Sequence, residues 1–301
     1  MMKRFILFLT ILFSSLVGEE FLTFEQACGA RARHYNFRDS DDFAQAYNLN
    51  HFAKVTPSES PRIPKLIHII WFGSSLPSKY DPFIESWKEH HPDWTVKLWA
   101  DDDIGSFPLV TGEKIFEATN LGQRSDIFRY ELLNYYGGLY VDADFFCLKP
   151  HDILHHTCDF YSAMDGRTVY NGIIASAPNH PIIQHCLQEI KKITKFTDGV
   201  SAIVGQTGPR LMTRTITDFL RKSKEGVIVY PTVYFYSFPS SLRSKFWRNN
   251  QANFDVAKPY MKPHAFGLHM WAHSWMKSSR PPVARPPRAR PPNTRQTRSE
   301  A

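Results

Sequence analysis

G-Q-R-S-D-I-F-R-Y-E-L-L-N-Y-Y-G-G-L-Y-V-D-A-D, running from Gly122 to Asp144, is the stretch on which the fold turns. Its first part carries apolar residues three and four positions apart, the spacing of an amphipathic helix. Ser125 or Asp126 suits the cap in front of it. Gly137-Gly138 stops the helix, because glycine enters the left-handed backbone conformation at little steric cost. Leu139-Tyr140-Val141 then reads as a strand with Asp142 and Asp144 at its end. A helix from Asp126 to Tyr136 spans roughly 15 Å, and a strand from Leu139 to Asp144 covers roughly 16 Å. A tight turn at the glycines sends the strand back along the helix. Asp126 and Arg129 thereby return to the end that carries Asp142 and Asp144.

Upstream, Leu66-Ile67-His68-Ile69-Ile70-Trp71-Phe72 is a continuous apolar run closed by Gly73. Such a run suits a strand covered on both faces, as in a parallel sheet. Residues 78–90 read as a helix and Trp94 to Trp99 as a second strand that runs into three aspartates, Asp101 to Asp103. This is a strand–helix–strand unit of doubly wound type, an α/β architecture that binds ligands beyond the carboxyl ends of its strands. Downstream, Val227 to Phe238 is strand-like, and Pro231 within it favours an edge position.

The chain has 301 residues, 43% hydrophobic and 14% aromatic, enough for one large core with an appendage. Its formal charge is +7. Residues 280–301 hold six Arg and one Glu, and Lys3-Arg4 opens the chain, so the segment between them is neutral. That distribution argues against a nucleic-acid-binding domain. Lys3-Arg4 followed by the uncharged run from Phe5 to Val17 reads as the core of a secretory signal or an N-terminal anchor, shorter than the roughly 20 residues of a full span. It places the chain in the secretory pathway or cell envelope, with membrane association through the N-terminus as one outcome. The expected organisation is a signal peptide or anchor over 1–18, an N-terminal appendage over 19–60, a catalytic domain over 61–276, and an extended, disordered Arg/Pro-rich tail over 277–301. Cys28, Cys147, Cys158 and Cys186 show no C-x-x-C spacing, which argues against zinc. In an exported chain they could pair in any of three ways.

Asp142 and Asp144 can share a hard divalent cation if the chain bends there, and oxygen ligands favour magnesium or manganese. Such a metal would stabilise a departing diphosphate. Asp126 could accept hydrogen bonds from sugar hydroxyls, with Arg129 or Arg124 meeting phosphate or fixing Asp126. Asp165 is a further candidate acid or a plain loop carboxylate. Two other readings compete. A metal-dependent phosphoryl or nucleotidyl transferase also uses acidic pairs, but no phosphate-cradling Gly-rich loop is evident. A secreted carbohydrate-binding or host-interaction protein would keep a degenerate site, which the intact D-A-D with Asp126 argues against.

P-K-L-I-H-I-I-W-F-G at 64–73, S-D-I-F-R-Y-E-L-L at 125–133 and Y-G-G-L-Y-V-D-A-D at 136–144 resemble the family 32 glycosyltransferases. That group includes the yeast initiating α-1,6-mannosyltransferase and resembles the catalytic domain of the large clostridial glucosylating toxins. The resemblance covers roughly residues 62–276 in ordered pieces. It implies a GT-A fold, a Rossmann-like mixed sheet with helices on both faces in a single catalytic domain. It also implies Mn2+ or Mg2+, a UDP-sugar or GDP-mannose donor, a glycan, glycolipid or protein acceptor, no nucleic acid, and retention of anomeric configuration. The transferred unit would be a hexose or N-acetylhexosamine.

Carried over by the resemblance, Asp144 is the direct metal ligand and Asp142 reaches the ribose or the metal. Asp126 and Arg129 hold the donor sugar and Trp71 lies against the base. His68, inside the apolar strand, is structural. Asn171-Gly172-Ile173 resembles a segment flanking the acceptor side and gives Asn171 a donor or acceptor contact. Gln206-Thr207-Gly208-Pro209 resembles a T-G-P turn. His269 to Trp275 resembles a closing motif H-x-W-x-x-S-W, which would bring His269 and Ser274 to the metal and Trp275 to the leaving diphosphate. His273 stands where the family often has glycine.

Overall fold

The computed structural model describes residues 21–34 and 41–274. The N-terminal signal or anchor, the Arg/Pro tail and Trp275 lie outside the described residues. Among the described residues the main elements are α1 (Asp42–Asn50), β1 (Leu66–Ile70), α2 (Asp81–His90), β2 (Thr95–Trp99), α3 (Leu121–Tyr136), β3 (Gly138–Val141), β4 (Phe145–Cys147), β5 (Phe160–Asp165), β6 (Thr168–Ser176), α4 (Pro181–Lys191), α5 (Val200–Gln206), α6 (Pro209–Leu220), β7 (Val227–Tyr230), β8 (Trp247–Arg248), β9 (Gln251–Ala252) and β10 (Gly267–His269).

Six strands form one mixed sheet in the order β2-β1-β3-β6-β5-β7, flanked by helices, the mixed α/β architecture expected from the sequence. β1 runs parallel to both β2 and β3, whereas β6 runs antiparallel to β3 and β5. The carboxyl end of β3 therefore lies where the strand direction switches, a position at which a sheet of this kind leaves a crevice. β4 leaves the main sheet and pairs antiparallel with β10, which draws the chain's last described segment against the end of β3.

The α3–β3 connection follows from its glycines. Gly137 has φ 64° and Gly138 φ 94°. A Cβ on Gly138 would fall 2.5 Å from the Leu66 carbonyl oxygen. Only glycine lets β3 enter the sheet so close to β1. His68 locks the same junction: one ring nitrogen lies 2.8 Å from the Gly137 carbonyl, and the other accepts the Trp99 indole N–H at 3.1 Å. It is structural, as its place inside the strand suggests.

Three boundaries differ from the sequence reading. α3 begins at Leu121, with Asn120 as the cap whose side chain accepts from Gly122 N, so Asp126 sits in the second turn and not at the cap. β2 begins at Thr95, after Trp94. The strand expected over 227–238 ends at Tyr230: after Pro231 the chain turns into a short helix, Thr232–Phe235. β7 is nevertheless an edge strand. All four cysteines are free and buried, so none of the disulfide pairings forms. Burial pushes the Cys28 and Cys186 thiols up to about 12, away from reactivity. Phe24, Phe43, Ala46 and Tyr47, which precede residue 60, share one continuous core with the sheet, and Tyr47 donates to Leu22 O.

Candidate functional site

β3 ends at Val141 and the chain turns at once, with Phe145 N donating to Asp142 O at 2.9 Å. This bend turns Asp142 and Asp144 toward a single point. β10 delivers His269 to the same place: its Nε2 lies 3.5 Å from Asp142 Oδ2 and 3.3 Å from Asp144 Oδ1. One ligand atom from each of the three side chains falls within 4.8 Å of the others. Asp144 is held from behind as well, its Oδ2 accepting from Ala272 N and its carbonyl from Met270 N.

The second half of the site comes from α3. Asp126 Oδ1 accepts from Asn171 Nδ2 at 2.8 Å and pairs with Arg129 at 2.9 Å; its Oδ2 accepts from the Thr207 hydroxyl at 2.8 Å. Arg129 reaches on to Asp142 Oδ1 at 3.3 Å and to the Asn171 carbonyl, and its guanidinium lies over the Tyr140 ring. It is the cross-brace between the two halves, and its donors are occupied by protein groups. Burial pushes the Asp126 carboxyl up against the opposing pull of Arg129, Thr207 and Asn171. Burial acts in the same upward sense on Asp142, but Arg129 and His269 outweigh it and hold that carboxyl low. Burial lowers His269, yet Asp144 and Asp142 outweigh it and raise the imidazole.

These side chains open onto one cavity of about 560 Å³. Trp71 lines it, half-buried just after β1, with its indole N–H on Ser74 and its ring tilted against Tyr80. Asn171, Ser274 and His273 line it too. Of the residues singled out in the sequence, Trp71, Asp126, Arg129, Asp142, Asp144, Asn171, His269 and Ser274 thus share one cavity.

Others do not. Arg124 donates to the Ala118 carbonyl and does not line the cavity, because it sits two residues before Asp126, roughly 200° away around the helix. Asp165 is taken up by Arg31 and Thr232, away from the cavity. Gln206 bonds Gln123, Thr197 and the Lys195 carbonyl outside it. In the T-G-P turn, Thr207 bonds Asp126 and Pro209 lines the cavity. Tyr140 was also missed: its hydroxyl donates to Asp142 Oδ1 at 2.8 Å. The strand period of two, which puts Tyr140 and Asp142 on one face, was the available signal.

A cation fits the Asp142–Asp144–His269 cluster. Two carboxylates and one imidazole supply the oxygen and nitrogen donors that Mn2+ or Mg2+ accepts, with no thiolate in the set.

The matched segments agree with this geometry. Residues 77–160 match the family described as "Glycosyltransferase sugar-binding region containing DXD motif", and residues 175–284 match "Alpha 1,4-glycosyltransferase conserved region". Together with the sheet and the D-A-D cluster they define the class that the chain resembles: it is similar to DXD-motif glycosyltransferases over these two segments. Among individual proteins, it is 27% identical over 197 residues to "Inositol phosphoceramide mannosyltransferase 1" of Schizosaccharomyces pombe, with 62% of each chain covered. It is 29% identical over 156 residues to the human "Alpha-1,4-N-acetylglucosaminyltransferase", covering 50% of this chain and 42% of that one. The chain therefore spans less than two-thirds of the length of these relatives. Among solved structures, the PaToxG glycosyltransferase superposes with a TM-score of 0.44 at 19% identity, over 65% of this chain and 79% of that one.

Proposed function

We propose that the protein moves a hexose or N-acetylhexosamine from a nucleoside diphosphate sugar to an acceptor hydroxyl, with retention, using Mn2+ or Mg2+. The observation that carries this reading is the convergence of Asp142, Asp144 and His269 beside the Asp126–Arg129 pair in one cavity walled by Trp71. In the reaction the anomeric C–O bond to the diphosphate breaks and a C–O bond to the acceptor forms. The acceptor's proton leaves on the diphosphate or with solvent.

Asp142, Asp144 and His269 would hold the cation, with Ser274 beside them. When bound, the metal supplies charge neutralisation for the departing diphosphate. Asp126 keeps one face toward the cavity, where it accepts from donor-sugar hydroxyls; Thr207, Asn171 and Arg129 fix its orientation. Arg129 acts by bracing Asp126 against Asp142, since its donors are already committed. Trp71 offers its ring to the nucleotide base. The site's acids and bases work by positioning, and binding aligns the acceptor with the anomeric carbon.

The relatives' names point to GDP-mannose and UDP-N-acetylglucosamine as the donors to try first, and to glycolipid or glycan acceptors. The N-terminal Lys-Arg and apolar run support entry into the secretory pathway or cell envelope. The deciding experiment incubates the protein with a panel of nucleotide sugars, with and without Mn2+, and measures thermal shift and free nucleotide diphosphate. One donor should stabilise the protein and be hydrolysed slowly without acceptor, in a Mn2+-dependent manner. A panel with no stabilising donor would sink the reading.

A further inference from the structure

Tyr236 directly follows the short helix Thr232–Phe235 and is 2% exposed, yet its hydroxyl has no hydrogen-bond partner among the described residues. Leaving such a group unsatisfied is costly, so its persistence calls for an explanation. Its surroundings supply one. A Cβ built on Gly172 would lie 3.5 Å from the Tyr236 hydroxyl and 2.7 Å from Asp142 Oδ2, so the glycine clears room for both groups in one small space. The Tyr236 ring stands edge-on to His269, with centroids 5.6 Å apart.

His269 carries a second orphan. Its Nε2 faces the two aspartates, but its buried Nδ1 has no partner among the described residues. An imidazole that binds a cation through one nitrogen carries its proton on the other, and that N–H almost always finds an acceptor. His269 touches three aromatic rings from neighbouring elements. Phe145 has no polar side-chain atom, and the Trp271 indole N–H is spent on the Phe238 carbonyl. Tyr236 alone among these neighbours offers an uncommitted oxygen.

We propose that Tyr236 is a positioning residue of the cation site: when the cation binds, its hydroxyl accepts the Nδ1–H of His269, directly or through one water. This rests on reading Asp142, Asp144 and His269 as cation ligands. The cost of the orphaned hydroxyl in the free protein is then recovered on binding, which makes the site selective for its loaded state.

The test is Tyr236→Phe, which removes one oxygen and keeps the ring. The variant without metal should melt no lower than wild type, since it loses an unsatisfied polar group. Its affinity for Mn2+ alone, followed by electron paramagnetic resonance without nucleotide, should fall about ten-fold, the lower end of what such outer partners contribute. Equal Mn2+ affinity in the two proteins overturns the proposal. A wild type that takes up no Mn2+ overturns the cation-site reading and this proposal with it. Should the variant fold poorly, 15N-histidine NMR of wild type with Mg2+ decides: the His269 Nδ1–H should become protected from exchange, and an unprotected proton overturns the idea.

Discussion

At the level of single residues, the two halves of the site do different work and can be separated by mutation. Asp144 belongs to the Asp142–Asp144–His269 cluster proposed to hold the cation, and Asp126 does not. Asp144→Ala should therefore abolish both Mn2+ uptake and sugar transfer, with transfer falling at least 100-fold. Asp126→Asn keeps shape and volume but cannot accept from Thr207, Asn171 and a sugar hydroxyl as a carboxylate does. It should lose transfer by a similar factor while binding Mn2+ as wild type does. Steady-state kinetics beside a direct Mn2+ titration checks the pair, and loss of Mn2+ binding in Asp126→Asn would refute the division. Much of this was legible in the sequence: Asp126 and Arg129, three apart on a helix, had to share a face, and the D-A-D had to follow the strand. Thr207 was visible only as turn chemistry, because nothing local says that its hydroxyl meets a carboxylate 81 positions away. Tyr236 was hidden within a supposed strand.

Among the elements, the α3–β3 hairpin is the part on which the site's geometry depends. Gly138 combines a φ of 94° with a Cβ position 2.5 Å from the Leu66 carbonyl. Gly138→Ala must either strain the backbone, at about 1–3 kcal/mol, or push β3 away from β1. Urea unfolding should show a loss of at least that size, accompanied by weaker Mn2+ binding because Asp142 shifts with its strand. A variant as stable as wild type would show that the junction tolerates a side chain. The sequence disclosed this hairpin through its two glycines, and their meaning did not depend on the rest of the molecule. Helix and strand ends were less readable. Asp126 resembles a cap by residue type, but Asn120 caps the helix one turn and a half earlier. Val227 to Phe238 has strand composition throughout, yet Pro231 at the sheet edge lets the next residues coil into Thr232–Phe235, where Tyr234 and Phe235 are buried in the core.

Across the whole molecule, the most distinctive feature of the core is its buried histidines. Burial is the largest cause lowering all of them but His269: His68, His91 and His180 to about 4, His51 and His155 to about 3, and His151 in the same direction. They serve as neutral hydrogen-bonding rings, as His68 does between Trp99 and Gly137. The consequence for stability has a definite sign. In the unfolded chain each imidazole takes a proton near its ordinary value of 6.5, whereas in the folded protein it stays neutral until pH 4 or below. The unfolded state thus binds more protons throughout that window, and stability falls as the pH drops from about 6.5 toward 4, by about 1.4 kcal/mol per pH unit for each proton taken up. Asp126, whose carboxyl burial pushes up, works in the opposite direction, but it is one group against six. Urea midpoints of metal-free protein should therefore decline steeply between pH 6 and pH 4.5. Replacing His68 with glutamine, which keeps polar atoms but cannot be protonated, should make that decline shallower by about one proton's worth even if the neutral-pH stability is lower. A decline equally steep in wild type and His68→Gln would show that acid acts elsewhere in the molecule.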